Sequence, residues 1–273
     1  MGIADDARDL GAVFSAAQTE FEDASAWVWD PMGQALVILA SPEPGERVLD
    51  ACCGAGASAV PAGHAVAPGG KVDAIDLADG LLDLGRRRAH RHGVTTVDFV
   101  RADVTTWEPD QLYDLVLCGY GVFFLPDMDV SVKRLIGLLR GGGRFGVSAW
   151  WRPAVEEFGK ALMDTVATFR TEPAGPPSRA QAPSLRIATP ETMRSWLESL
   201  ELRDITVRPL KQTVPLTADR AWNFVLGSGF RGALTALAPD AIPAVRKAFL
   251  SLLEQRNIAH LDISTLIACG TRS

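Results

Sequence analysis

The eleven residues Val48-Leu49-Asp50-Ala51-Cys52-Cys53-Gly54-Ala55-Gly56-Ala57-Ser58 constrain this chain more than any others. An apolar run ends in an acid, crosses a tight loop of small residues and enters a helical pattern. That is the order of a strand, a turn that lets backbone approach a ligand closely, and a helix. The rhythm continues downstream. Apolar, β-rich runs at 47–50, 71–75, 97–101, 113–118 and 144–149 alternate with helical patterns at 58–66, 79–90 and 131–139. Pro68-Gly69-Gly70 and Gly141-Gly142-Gly143 punctuate the returns to strand. Five such units in succession predict a doubly wound, Rossmann-like α/β sheet.

Helical patterns at 12–29 and 33–39, the second with Pro31 as its first-turn residue, form an N-terminal arm that leaves through a turn at 42–45. Beyond the fifth strand a helix is expected over 155–169, and a mobile loop over the Pro- and Ala-rich stretch 171–184. Thr189 caps a helix with Pro190 at its first position; a strand at 202–210, helices at 218–226 and 242–255, and a last apolar strand at 263–269 follow. The chain thus divides into a helical arm at 1–45, a ligand-binding α/β core at 46–150 and, at 151–273, the rest of the sheet with helical insertions. Those insertions join the arm in a lid.

The 273 residues are 47% apolar and 22% charged, with a net charge of -6. The apolar share supplies a core, and the acidic balance disfavours the broad basic footprint with which a protein grips nucleic acid or anionic lipid. The run Arg86-Arg87-Arg88-Ala89-His90-Arg91-His92 is read as a solvated face at the end of a crossover helix, where cations complement the dipole. No apolar run approaches the roughly 20 residues that span a bilayer, and residues 1–20 lack the basic start and apolar core of a secretory signal. A cytoplasmic protein without membrane insertion is expected. Cys52, Cys53, Cys118 and Cys269 have neither disulfide-framework nor zinc spacing and are expected as packing thiols. No metal site is expected, because Asp127 and Asp129 have no further ligands at suitable spacing and are read as caps of the following helix. The sequence carries no sign of oligomeric state.

Three acids end successive strands: Asp50 before the glycine loop, Asp76 after the second strand, Asp103 after the third. Parallel strands deliver their carboxyl ends to one edge, so a single ligand at the topological switch point touches all three. Asp76 offers two oxygens to the two hydroxyls of a ribose, and Asp103 suits the exocyclic amine of an adenine. Asp50 suits a ligand with an ammonium and a sulfonium better than one with phosphates. Gly54, Gly56 and Ala59 together with Asp76 also fit a dinucleotide fingerprint, but that version has no use for Asp50 or Asp103.

Over 47–149 the chain resembles class I S-adenosylmethionine-dependent methyltransferases, in particular the ubiquinone/menaquinone-biosynthesis methyltransferase-like group. The resemblance implies a seven-stranded sheet with its last strand antiparallel and S-adenosyl-L-methionine as cofactor. It places Asp50, Ala51, Cys52, Gly54 and Gly56 around the methionine part, Asp76 and Leu77 at the ribose, and Asp103 and Val104 at the adenine. Cys118, Gly119 and Tyr120 lie beside the methyl-donor end. Ser58 stands where the family often has a third glycine. The implied activity is methyl transfer to O, N or C of a small, largely apolar or aromatic metabolite.

The segment Cys118 to Asp127 is glycine-rich and aromatic. It lacks the acid-or-amide, Pro, Pro, aromatic signature of many enzymes that methylate nucleobase or amide nitrogen. Phe123, Phe124 and Tyr120 suit either core or substrate platform. An antiparallel last strand puts its start at the carboxyl edge, so His260 and Asp262 are expected to face the crevice. His260, as base, and Tyr120 are the candidate catalytic residues. Trp27, Trp29, Trp150, Trp151, Trp222, Phe224 and Phe230 supply the lid with rings, as glue between helices or as pocket lining. Three other functions share these features: cyclisation or rearrangement on a retained cofactor site, a NAD-dependent oxidoreductase, and a non-catalytic ligand-binding regulator. A product heavier by one methyl separates the first from methyl transfer, and cofactor preference separates the second.

Overall fold

A computed structural model describes residues 11–170, 180–235 and 237–273. Its strands are β1 (Arg47–Ala51), β2 (Lys71–Asp76), β3 (Val97–Arg101), β4 (Tyr113–Gly119), β5 (Leu139–Trp150), β6 (Leu202–Leu210), β7 (Thr213–Pro215), β8 (His260–Asp262) and β9 (Thr265–Arg272). One sheet of seven runs in the order β3-β2-β1-β4-β5-β9-β6. β1 to β5 pair in parallel, and β9 runs antiparallel between β5 and β6. The doubly wound α/β sheet with its last strand antiparallel is therefore the fold. β1 lies between β2 and β4, where the strand order reverses, and this opens the crevice at the carboxyl edge.

The helices are α1 (Gln18–Ser25), α2 (Trp29–Ala40), α3 (Ala59–Ala65), α4 (Asp79–Arg91), α5 (Met128–Gly137), α6 (Glu156–Phe169), α7 (Gln181–Arg186), α8 (Pro190–Ser199), α9 (Ala218–Leu226) and α10 (Ile242–Gln255). Strand residues alternate between two cores, as the period of two requires. Val48, Leu115 and Leu117 pack with Leu36 and Ala62 on one face; Leu49, Val116 and Cys118 pack with Val132, Leu135 and Trp196 on the other. A third core, built on Phe158, Phe224, Phe249 and Val245, joins α1, α6, α9 and α10 to the small β7–β8 sheet. None of the helices among the described residues is long and apolar enough to cross a membrane.

Several elements differ from the sequence expectation. The pattern at 12–29 breaks around Trp27, and α2 starts at Trp29, which puts Pro31 inside its first turn. A proline is tolerated there because the first N–H groups of a helix have no intrahelical partner. The helix expected at 131–139 begins at Met128, because Asp127 Oδ1 accepts from Val130 N at 3.0 Å. Gly141-Gly142-Gly143 is no return turn but an irregular stretch inside β5, where pairing jumps from Tyr113↔Leu139 to Leu115↔Arg144. The three glycines pair with neither neighbouring strand and Gly142 keeps φ +76°, so the strand carries them as an irregularity. The apolar run at 263–269 is displaced into β8 and β9, and the short β7 carries too few residues to show periodicity. Of the loop expected at 171–184, residues 171–179 lie outside the described residues, and Gln181–Arg186 is helical. Asp129 caps nothing; it pairs with Arg186 at 2.9 Å and accepts from Trp196 Nε1 at 2.9 Å.

Candidate functional site

Asp50 is the fourth residue of a strand buried on both faces, and its side chain is fully enclosed. Oδ2 accepts from Ser58 Oγ at 2.7 Å, whereas Oδ1 is buried with no partner among the described residues. Burial pushes the carboxyl up to about 7; the Ser58 hydrogen bond opposes this and the charge of Asp76 adds to it. Such an orphaned oxygen normally marks a missing partner. The hydroxyl of Ser58, at the position of the absent third glycine, is the carboxylate's only side-chain donor among the described residues. The departure from the family pattern was legible in the sequence; its contact was not.

The loop that follows needs special backbone. Gly54 and Gly56 adopt φ +51° and +79°, and a Cβ on Gly56 would stand 2.9 Å from the Phe99 ring. Cys52, with φ +57°, is a non-glycine held in the same left-handed region. Asp76 Oδ2 accepts from Gly54 N at 2.8 Å, and Oδ1 from Ala78 N at 2.9 Å. The second carboxylate thus ties its strand end to the loop, and each oxygen keeps a further lone pair for a ligand hydroxyl. Asp103 is half-buried, and its Oδ1 accepts from Thr105 N at 2.8 Å and Thr105 Oγ1 at 2.6 Å. Ala51 and Val104 are buried, and Leu77 is half-buried against Gly11 of the arm.

Tyr120 follows β4 with φ +53°, a second strained strand exit. Its hydroxyl lies 2.5 Å from Thr265 Oγ1 at the start of β9, and burial pushes its pKa far up. Beside it, the sulfurs of Cys118 and Cys52 stand 2.8 and 3.1 Å from where a Cβ on Gly121 would lie. All four cysteines are free thiols. The ring of Trp29 stacks on Phe21 at 5.4 Å and meets Tyr120 edge-on at 5.5 Å; Trp150 lies 4.6 Å from Tyr120. Phe21 also covers the loop, 3.5 Å from where a Cβ on Gly54 would stand. The arm therefore closes directly over the crevice. Phe123 is core, while Phe124 is partly buried against Phe14 of the arm.

Within the basic run Arg86, Arg87, His90, Arg91 and His92 are exposed, as the sequence reading has it, and Arg88 departs from it. Arg88 is not solvated: it pairs with Asp30 and donates to Ala55 O at 3.3 Å and to Ser25 Oγ at 3.5 Å, pinning the arm to the glycine loop. His260, expected to face the crevice, is exposed on β8, opposite Pro215. Asp262 is half-buried and accepts from Ser264 N through Oδ1. The structure thus brings Asp50, Asp76, the glycine loop and Tyr120 to one edge and leaves His260 outside the ring cluster. Sequence reasoning missed Phe21, whose contacts with Trp29 and the Gly54 turn join the arm to the loop, and Thr265, which sits in no motif.

The donor set fits S-adenosylmethionine. A buried anion with a vacant oxygen suits an α-ammonium, glycine backbone leaves room beside it, and Asp76 suits a ribose. Comparisons agree. A model described as the ubiE/COQ5 methyltransferase family matches residues 29–168. The chain is 34% identical over 143 residues to aklanonic acid methyltransferase DauC of Streptomyces sp. strain C5, covering 52% of this chain and 65% of that protein. It is 29% identical over 215 residues to nocamycin O-methyltransferase of Saccharothrix syringae, covering 71% and 74%. The match to other first-ranking relatives spans about half of their length. Among solved structures, the YcgJ protein of Bacillus subtilis superposes with a TM-score of 0.59 at 15% identity, over 89% of this chain and 98% of that one.

Proposed function

This chain belongs to the ubiE/COQ5 methyltransferase family, and from that premise we propose that it transfers a methyl group from S-adenosylmethionine to O, N or C of a small, largely apolar or aromatic metabolite. The observation that carries the reading is Asp50, a fully buried carboxylate behind the glycine loop with one oxygen unpartnered among the described residues. A phosphate-binding loop would place an anion where that charge repels it. Asp50, Cys52, Gly54 and Gly56 hold the methionine part, Asp76 and Leu77 the ribose, Asp103 and Val104 the adenine, and Cys118, Gly119 and Tyr120 border the reactive end. When bound, the cofactor supplies an electrophilic methyl on a sulfonium.

The chain's own contribution is enclosure and aim. Phe21, Trp29 and Trp150 exclude water, and a dry, oriented pocket supplies much of the rate for an in-line displacement. Tyr120 stays neutral at physiological pH, so it positions rather than removes a proton. His260, exposed on β8, acts as base only from the open side of the site, and full turnover by His260→Ala removes it from the mechanism. Free thiols throughout suit a reducing, cytoplasmic setting. Isothermal titration with S-adenosylmethionine, S-adenosylhomocysteine and NAD in parallel tests the reading. Micromolar binding of the first two and none of NAD is the expected result; preference for NAD overturns it.

A further inference from the structure

Behind the glycine loop, Trp29, Tyr120, Trp150 and Phe224 form one ring cluster. Trp29 lies 5.5 Å from Tyr120, 6.0 Å from Trp150 and 6.3 Å from Phe224. Two polar atoms in this apolar setting have fixed and opposite character. The indole Nε1 of Trp29 is sealed from solvent without a hydrogen-bond partner among the described residues, and an indole N–H only donates. The Tyr120 hydroxyl is committed the other way. Thr265 Oγ1 lies 2.9 Å from the carbonyl oxygen of Ile263 and 2.5 Å from the Tyr120 oxygen. A carbonyl only accepts, and a threonine hydroxyl has one proton. Both contacts are satisfied together only if Thr265 donates to Ile263 and Tyr120 donates to Thr265. The one proton of Tyr120 is then spent, and toward the ring cluster its oxygen only accepts.

We propose that these two atoms choose the methyl acceptor: a planar molecule whose hydroxyl donates to Tyr120 and whose carbonyl accepts from Trp29. The assignment rests on the methyl-transfer reading for its location beside the donor site. A buried donor left unpaired is costly, so a ligand without the carbonyl leaves Trp29 unsatisfied. A methyl ether has no proton for Tyr120, so the site holds a hydroxyl-bearing ligand more tightly than the matching ether. Thr265, 0% exposed and distant in sequence from every motif, is the positioning residue that sets this polarity.

Three matched bicyclic probes test the proposal on the full chain saturated with S-adenosylhomocysteine: 7-hydroxycoumarin with both groups, 7-methoxycoumarin with the carbonyl and an ether, and 2-naphthol with the hydroxyl alone. The first is expected to bind about tenfold tighter than either other, the worth of one hydrogen bond in a dry site. Trp29→Phe keeps a ring and removes the N–H, and is expected to erase the advantage over 2-naphthol. Thr265→Val returns the Tyr120 proton to the pocket and is expected to erase the advantage over 7-methoxycoumarin, with Thr265→Ser restoring it. A merely structural role for Thr265 would weaken all three probes alike. Equal or absent binding of the probes to the unaltered protein overturns the proposal without any variant, as does a hydroxyl preference that survives Thr265→Val. Titration of S-adenosylhomocysteine alone reads the donor site separately: its failure overturns the methyl-transfer reading, whereas its success with indifferent probes overturns only the acceptor selection.

Discussion

Burial of the Asp50 carboxyl opposes folding and serves binding, and the two effects carry opposite dependences on pH. Unfolded, the group titrates near 3.8; folded, burial holds it at about 7. Between those values the native chain keeps a proton that the unfolded chain has lost, so stability falls as pH rises from about 4 to 7 and levels off above. The loss amounts to roughly 4 kcal/mol. Binding of a cation behind the loop needs the ionised form, so affinity for S-adenosylhomocysteine climbs over the same range. Asp76 raises the Asp50 pKa through its charge, and the Ser58 hydroxyl and Ala59 N–H hold it down. Asp50→Asn is expected to raise the urea midpoint at pH 8, to flatten the stability profile between pH 5 and 8, and to weaken S-adenosylhomocysteine by about 10- to 100-fold. A variant that is less stable than the parent at pH 8 refutes the account. The acid itself was legible in the sequence, standing before a glycine loop. The strained backbone at Cys52 and Tyr120 was not, because nothing in either residue type signals a left-handed φ; the surrounding fold imposes it.

At the scale of elements, the crossover helices matched their periodicity because an apolar stripe against a sheet is a local signal. α4 runs from Asp79 to Arg91 much as its pattern required, and α8 opens with a capping box at Thr189 followed by Pro190. What the stripe cannot show is the use made of the other face. On α4 that face carries Arg88, only 13% exposed, against Asp30 of α2. With Asp30 at 36% exposure the pair is partly screened, and its contribution is roughly 1 kcal/mol. Its importance is local: it ties the ring-bearing arm to the loop that the ligand must enter. Arg88→Met is expected to speed amide hydrogen exchange over residues 11–29 by about fivefold while leaving β1 and β4 unchanged. Uniform loss of protection across the sheet would instead make Arg88 part of the global core.

For the whole molecule, the arm, the glycine loop and the lid core meet around one crevice, so a ligand there stabilises the native state by mass action. S-adenosylhomocysteine at a hundred times its dissociation constant contributes about 2.7 kcal/mol, which for a chain of this size raises the melting temperature by about 5 °C. Asp76→Ala, which removes the acceptor for Gly54 N and for a ribose together, is expected to abolish the shift at the same concentration, measured by calorimetry. The sequence alone determined the sheet, its crevice and the three acids that end β1, β2 and β3, because strand rhythm, glycine loops and acids at strand ends are encoded within a few neighbouring residues. It also determined the class of ligand, since a carboxylate before the loop selects for a cation. Only the tertiary structure decided that Arg88 is a clamp rather than a solvated face, that His260 stands outside the rings, and that Thr265 turns the Tyr120 hydroxyl into an acceptor. Those contacts join residues 58 to 145 positions apart, and a hydrogen bond between such positions depends on how the layers pack, which no local pattern records.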